Sequence, residues 1–319
     1  MNISHLLIGS ILGICLVACS QSNEPQFQQK NEVIPLNLTL TVNSLYDNDS
    51  RAGGNCYIPE GYQLRYTIAA FVETNGIPSA EEATRTTAYS EIAPEGGTAL
   101  TDVFTHLHLN LVPHTSYTLV AWADYIHPAD LTMPNAQTTF YYNIDNLRAI
   151  KPTDEPLSEV NAEDAYLGIQ TGYKISDDAS HHTLTLSLKR PLVKIEFQNI
   201  SEVSAAVPYS LDYTIINNDL SKTAITFDAV TREVAGNHIR LGETMKASPY
   251  GYLFVPSSGC NLSVSVIANE TPYGVKWEKN GPTTPLQLFV LPNQQVTIQP
   301  INGDELTLHP LITRQIDEI

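Results

Sequence analysis

Basic side chains are scarce in this sequence, and that scarcity removes several functions at once. Lys and Arg number 17 against 34 Asp and Glu, which leaves a formal charge of −17. A surface so biased repels nucleic acid and anionic headgroups, so neither is an expected partner. Cysteine is equally sparse, at four residues, and no Cys-x-x-Cys pair occurs; zinc-ribbon and thioredoxin-type redox motifs are therefore missing. Also missing are a Gly-x-Ser-x-Gly elbow, a His-Glu-x-x-His helix and a glycine-rich phosphate loop. Nothing calls for a cofactor, and a non-enzymatic role is expected. Long apolar runs are lacking too. The one candidate, residues 6–17, is too short to cross a bilayer with a hydrocarbon core of about 30 Å.

That run has another reading. It follows a short polar start, residues 1–5, and ends in Leu16-Val17-Ala18-Cys19. A short apolar core closed by small residues is the pattern of a cleaved export signal. The last four residues resemble the lipobox of bacterial lipoproteins. The resemblance implies that residues 1–18 are removed and that Cys19 is acylated and becomes the mature N-terminus, tethered to the outer membrane of a Gram-negative cell. Several acyl chains give lasting attachment where one is marginal. Residues 20–32 are polar and aperiodic and read as a flexible tether. Cys56 and Cys260 then remain. An oxidising compartment would allow them to pair, but a disulfide needs Cα atoms within about 7 Å. Across a separation of 204 residues (260 − 56) the sequence leaves pairing and two separate thiols both open.

The rest of the chain alternates. In 36–42, Leu36, Leu38, Leu40 and Val42 share one face and polar residues the other, the signature of a half-buried strand. The same pattern predicts strands over 62–72, 103–111, 184–188, 192–197, 209–216, 223–227, 250–255, 262–268, 286–291, 296–301 and 306–308. Segment 117–125 is apolar on both faces and reads as a central strand with Trp122 in the core. Short helices are expected only at 79–84 and 145–150. Twenty prolines and seventeen glycines punctuate the strands, so the expected fold class is all-β, built from antiparallel sandwiches. Pro191 cannot donate to a central ladder and marks a boundary. The expected domains are 33–188 and 189–302, with a tail at 303–319. No long-period internal repeat is visible.

Chemistry-bearing clusters are few. His106 and His108 lie two apart, opposite the leucine row Leu107, Leu109 and Leu111; without third and fourth ligands nearby they read as a solvated polar face. His181 and His182 are adjacent and would point to opposite sides of a strand. Residues 47–54 lack the glycine and glutamate of a calcium loop and read as a turn-rich connector. The stretch 257–260, Ser-Ser-Gly-Cys, reads as a turn. Sixteen tyrosines with Trp122 and Trp277 offer surface for sugars or proteins, and one member of each pair Tyr141/Tyr142 and Tyr250/Tyr252 is expected to be exposed.

Four segments occur in order behind the lipobox: Pro-Glu-Gly-Tyr-Gln-Leu-Arg-Tyr at 59–66, Tyr-Thr-Leu-Val-Ala-Trp-Ala-Asp-Tyr at 117–125, Phe-Tyr-Tyr-Asn-Ile-Asp-Asn-Leu-Arg-Ala-Ile at 140–150, and Leu-Lys-Arg-Pro-Leu-Val-Lys-Ile-Glu-Phe at 188–197. Together they resemble the fimbrillin-like surface lipoproteins of Bacteroidales. The resemblance implies two tandem transthyretin-like β-sandwiches and a role as a subunit or anchor of a type V pilus. It also implies processing after an arginine, which Arg51 followed by Ala52 would supply, releasing residues 33–51 with their strand. A strand from another subunit would fill the gap, drawn from 296–301 or from 305–312 with Leu306 and Leu308 entering alternate pockets. The implied partners are the outer membrane, other pilus subunits or further copies, and a host protein or glycan. The alternative is a surface lipoprotein that does not polymerise and binds glycan or host protein through the sandwich ends.

Overall fold

Alternation is what seats the first strand. In the computed structural model, Ile34–Val42 buries Ile34, Leu36, Leu38, Leu40 and Val42 and leaves the residues between them half-buried or exposed. Five such side chains, at about 2 kcal/mol each, give the strand a hydrophobic hold on the order of 10 kcal/mol before its conformational entropy is charged. The structure describes residues 33–42, 57–99, 104–129, 138–153, 160–177, 182–198, 209–216, 225–236, 238–240, 250–268, 271–275, 284–299 and 307–310. The chain from Val33 to Ile319 forms one compact unit.

The fold is all-β. Ile34–Val42 is the middle strand of a three-stranded sheet, between Thr183–Leu188 and Phe104–Leu111. Facing it is a larger sheet in the order Ala165–Lys174, Ser116–His127, Gln63–Thr74, flanked by Thr84–Tyr89 and the short strands Ile77–Pro78 and Thr139–Phe140. Ser116–His127 is buried at every residue but its two ends, as expected of a strand covered on both faces. Trp122 lies in the core.

Residues beyond 188 repeat the scheme. Leu192–Phe197 is the middle strand between Tyr250–Phe254 and Gln295–Ile298. The companion sheet runs His238–Arg240, Tyr209–Ile215, Cys260–Ala268, Thr271–Val275, Leu308–Pro310, with Leu286–Val290 also on Cys260–Ala268. In each half the first strand is central, with one antiparallel and one parallel neighbour. The parallel pairings are Ile34–Val42 with Thr183–Leu188 and Leu192–Phe197 with Gln295–Ile298; every other ladder among the described residues is antiparallel. A parallel pair needs a long connection, and here most of a half supplies it. The repeat is thus one of topology, with no repeated sequence to reveal it.

Two helix expectations fail. Residues 79–84 form no helix: the Ser79 and Ala83 amides donate to the Val72 and Ala70 carbonyls, laying the segment along Gln63–Thr74, and Thr84 opens a strand. Residues 145–150 form turns in which the Asn143 and Asn146 side chains accept from the Asp145 and Arg148 amides. Such local side-chain bonds compete with helix formation. The helical turn among the described residues is the 3-10 segment Val160–Glu163.

Candidate functional site: the first strand and the inter-half junction

The first strand presents two chemistries. Its apolar residues point into the sandwich; its outer residues meet polar partners on Phe104–Leu111. In register, Asn37 faces His108 and Thr39 faces His106. His108 Nδ1 lies 2.6 Å from Asn37 Oδ1, and His106 Nδ1 lies 3.2 Å from Thr39 Oγ1. Both imidazoles are exposed, so the solvated polar face expected of them is found. On the other side, Thr183, Thr185 and Ser187 continue the row beside Asn37, Thr39 and Thr41. Among the described residues no three His, Cys, Asp or Glu side chains converge on a metal-sized space.

The halves meet across a junction made largely by residues 140–150 and 189–190. The Ile150 and Phe227 amides each donate to the other's carbonyl, and Leu167 and Lys189 do the same. Around these bridges sits an aromatic cluster. Trp122 meets Tyr142 edge-on at 5.6 Å and Phe254 at 6.1 Å, and Phe227 and Phe254 stack at 4.7 Å. Arg148 donates to Asp228 and to the carbonyl of Ser79, fastening a turn of the first half to a hairpin of the second.

Two buried ion pairs flank this core. Arg190 is 4% exposed and grips Asp164 with both Nε and Nη2. Asp164 also accepts from the Tyr166 hydroxyl and the Ala165 amide. Burial works to lower the Arg190 guanidinium, but Asp164 beside it prevails and holds it far above its ordinary value. Tyr166 and Tyr252 rings lie 6.0 and 5.8 Å from that guanidinium, in cation–π range. Arg65 likewise pairs with fully buried Asp124 and donates to the Tyr142 carbonyl. Arg190 therefore ties the connection between halves to the end of the 3-10 turn. It does so at the boundary where Pro191 breaks the pattern.

Of the site residues read from the sequence, Cys19, Arg51, Ala52, Cys56 and Leu306 lie outside the described residues, as do residues 47–54, His181 and Trp277. Cys260 is a free, half-buried thiol whose pKa burial pushes up to about 11. Leu308 is fully buried and pairs with Val275 of the same chain. Residues 257–259 form a turn, with Gly259 at φ +80°, and Cys260 opens the next strand. The tyrosine expectation is corrected: Tyr141 and Tyr142 are both buried. Alternation does not govern this irregular segment, and the two rings pack edge to face at 4.8 Å inside the junction. Of the other pair, Tyr252 is buried and the Tyr250 side chain lies outside the described ones. The Arg190–Asp164 pair and the Arg148 tie were not legible as a site. The one hint was an Arg-Pro step at a boundary.

Residues 28–266 match the model of DUF6562, a family of unknown function. The chain belongs to that family. No curated protein matches it. It is similar to several solved structures. One is a fimbrial assembly protein from Parabacteroides distasonis, 12% identical, with TM-score 0.37, over 87% of this chain and 99% of that one. Another is the tip fimbrial protein Mfa3 from Porphyromonas gingivalis, 11% identical, with TM-score 0.37, over 88% of this chain and 99% of that one.

Proposed function

We propose that this DUF6562 chain is a lipid-anchored adhesive or structural protein of the outer-membrane surface, a fimbrillin-like subunit or anchor that assembles by exchanging its first strand. The halves divided near 188/189 act as its two domains, and acylated Cys19 is its tether. The observation that carries the reading is the central place of Ile34–Val42. A strand at the edge of a sheet leaves one unpaired flank when lost. This one would leave two, along Phe104–Leu111 and Thr183–Leu188, together with a slot once filled by five apolar side chains. Unpaired flanks and an apolar slot are what a foreign strand completes. Cleavage after Arg51 would cut the covalent link between this strand and the body.

The test is digestion of the purified precursor with a trypsin-like protease. The expected products begin at Ala52 and form SDS-resistant ladders, while Arg51→Ala stays whole and monomeric. Ladders from uncut Arg51→Ala would reject release as the trigger. Palmitate labelling that survives Cys19→Ser would reject the anchor.

One observation favours the second reading, a surface lipoprotein that stays monomeric and binds glycan or host protein. Both segments that could donate a strand are engaged at home: Gln295–Ile298 on Leu192–Phe197 and Leu308–Pro310 on Thr271–Val275. Clean cleavage at Arg51 that leaves a monomer would select it.

A further inference from the structure

The outer face of the second half's larger sheet carries a feature that the strand-exchange reading does not use. Leu286–Val290 turns Leu286 and Val290 inward and Gln287 and Phe289 outward. Phe289 is 62% exposed, a large aromatic left in water. Directly across the ladder from Phe289 stands Asn261, and across from Gln287 stands Ser263. All four side chains share one face. Neither amide nor the hydroxyl has a hydrogen-bond partner among the described residues. Leu291 continues the same row at one end.

The ring lies down on this face because Gly259 permits it. A Cβ built at Gly259 would fall 2.8 Å from Phe289 Cζ and 2.8 Å from Leu291 Cδ2. Its φ of +80° is also one that other residues rarely adopt. The far end of the ring thus lies close to the bare backbone of Gly259, while most of the side chain stays exposed. A floor for that ring is built into the turn.

We propose that Phe289, Asn261, Gln287 and Ser263 form a docking platform for a neutral sugar unit of a glycan. A pyranose has a face of C–H groups edged by hydroxyls. The C–H face matches the electron-rich face of an arene, and the hydroxyls match amides and a hydroxyl that can each donate and accept. Charge decides against other occupants. The four platform residues carry no formal charge in a chain of −17. The nearest acid on this face among the described residues, Asp212, pairs with Ser265, two residues along the strand from Ser263, a step of about 7 Å, and its other ladder partner is Arg240, so both charges lie outside the platform. An anionic membrane or polyanion would find no basic group on the platform. A protein hot spot would want apolar neighbours all round the ring; this ring has Leu291 at one end, and Asn261 across the ladder with Gln287 beside it.

The test is affinity electrophoresis of the purified chain through gels containing dextran, mannan or galactan, with polygalacturonate as the anionic control. At least one neutral polysaccharide retards the wild type. Phe289→Ala weakens that binding by about 10-fold or more, Phe289→Trp retains it, and Gln287→Ala falls between, all with unchanged thermal midpoints. The proposal is overturned if no neutral polysaccharide retards the wild type, if Phe289→Ala is retarded equally, or if only polygalacturonate binds. A shift in sedimentation on Phe289→Ala would instead make this face a contact between copies, and overturn it too. None of these outcomes bears on ladder formation, so the two proposals fail separately.

Discussion

The two halves share one plan and differ in how their central strands are held. Ile34–Val42 and Leu192–Phe197 occupy the same place, between a parallel and an antiparallel neighbour. Leu192–Phe197, however, follows directly on Arg190 and Pro191, and Arg190 is locked to Asp164. Ile34–Val42 follows a polar stretch on one side and precedes Arg51 on the other. One middle strand is anchored by a buried charge at its start, and the other is retained by burial, ladder bonds and the exposed contacts of Asn37 and Thr39 with His108 and His106. On the strand-exchange proposal, the same topology would hold one middle strand permanently and release the other.

The largest effect should come from the lock. Arg190→Ala leaves Asp164 buried without its cation, and breaking such a pair from one side costs about 3–5 kcal/mol. Because Arg190 sits at the junction, hydrogen exchange should speed up in both halves, in Tyr209–Ile215 as well as in Ser116–His127. Loss of protection in the second half alone would mean that the junction does not couple them. A smaller lesion sharpens the comparison. Leu38→Ala should cost about 2–4 kcal/mol, with exchange rising in Phe104–Leu111 and Thr183–Leu188 while Leu192–Phe197 keeps its protection. Equal loss in both middle strands would contradict separability.

The smallest expected effect is a matter of pH. Glu73 accepts from the Thr118 hydroxyl at 2.5 Å, the Ser116 hydroxyl and the Gly172 amide. The Thr118 bond foremost, helped by the other two, holds its carboxyl below the usual range. A depressed carboxylate stabilises the fold above its unfolded pKa, and that contribution fades as pH falls through the folded value. Glu73→Gln should therefore lower the thermal midpoint slightly near neutrality and narrow its gap to wild type in acid. A gap constant from pH 7 to pH 3 would refute this account.

How much of this was legible beforehand follows from the physics of each part. Strands with one wet face announce themselves by alternation, so Ile34–Val42, Phe104–Leu111 and Leu192–Phe197 could be read, and so could the doubly covered Ser116–His127. Pairing partners could not, because the chain writes its faces and not its neighbours; the parallel placement of Thr183–Leu188 beside the first strand left no local trace. Segment 140–150 misled for a related reason. Its backbone is held by Asn143, Asn146 and by Arg85 donating to the Ile144 carbonyl, so no period applies and both tyrosines turn inward. The Asn75-Gly76 turn was a stronger signal passed over: both residues have positive φ, and the dipeptide favours a tight hairpin that extends Gln63–Thr74 past 72. The Phe289 platform needed the register, since only the ladder reveals that Asn261 stands beside the ring.

The middle position of the opening strand also sets an order of events. Asn37 pairs with Thr183, 146 residues later (183 − 37), and contacts so far apart in sequence form late and slowly. The opening strand can meet Phe104–Leu111 once residue 111 is made, but its other flank closes only once residue 188 is present. Until then one flank of the first sheet's central strand stays unpaired. Within the first half, its opening strand and its last strand close the sheet together.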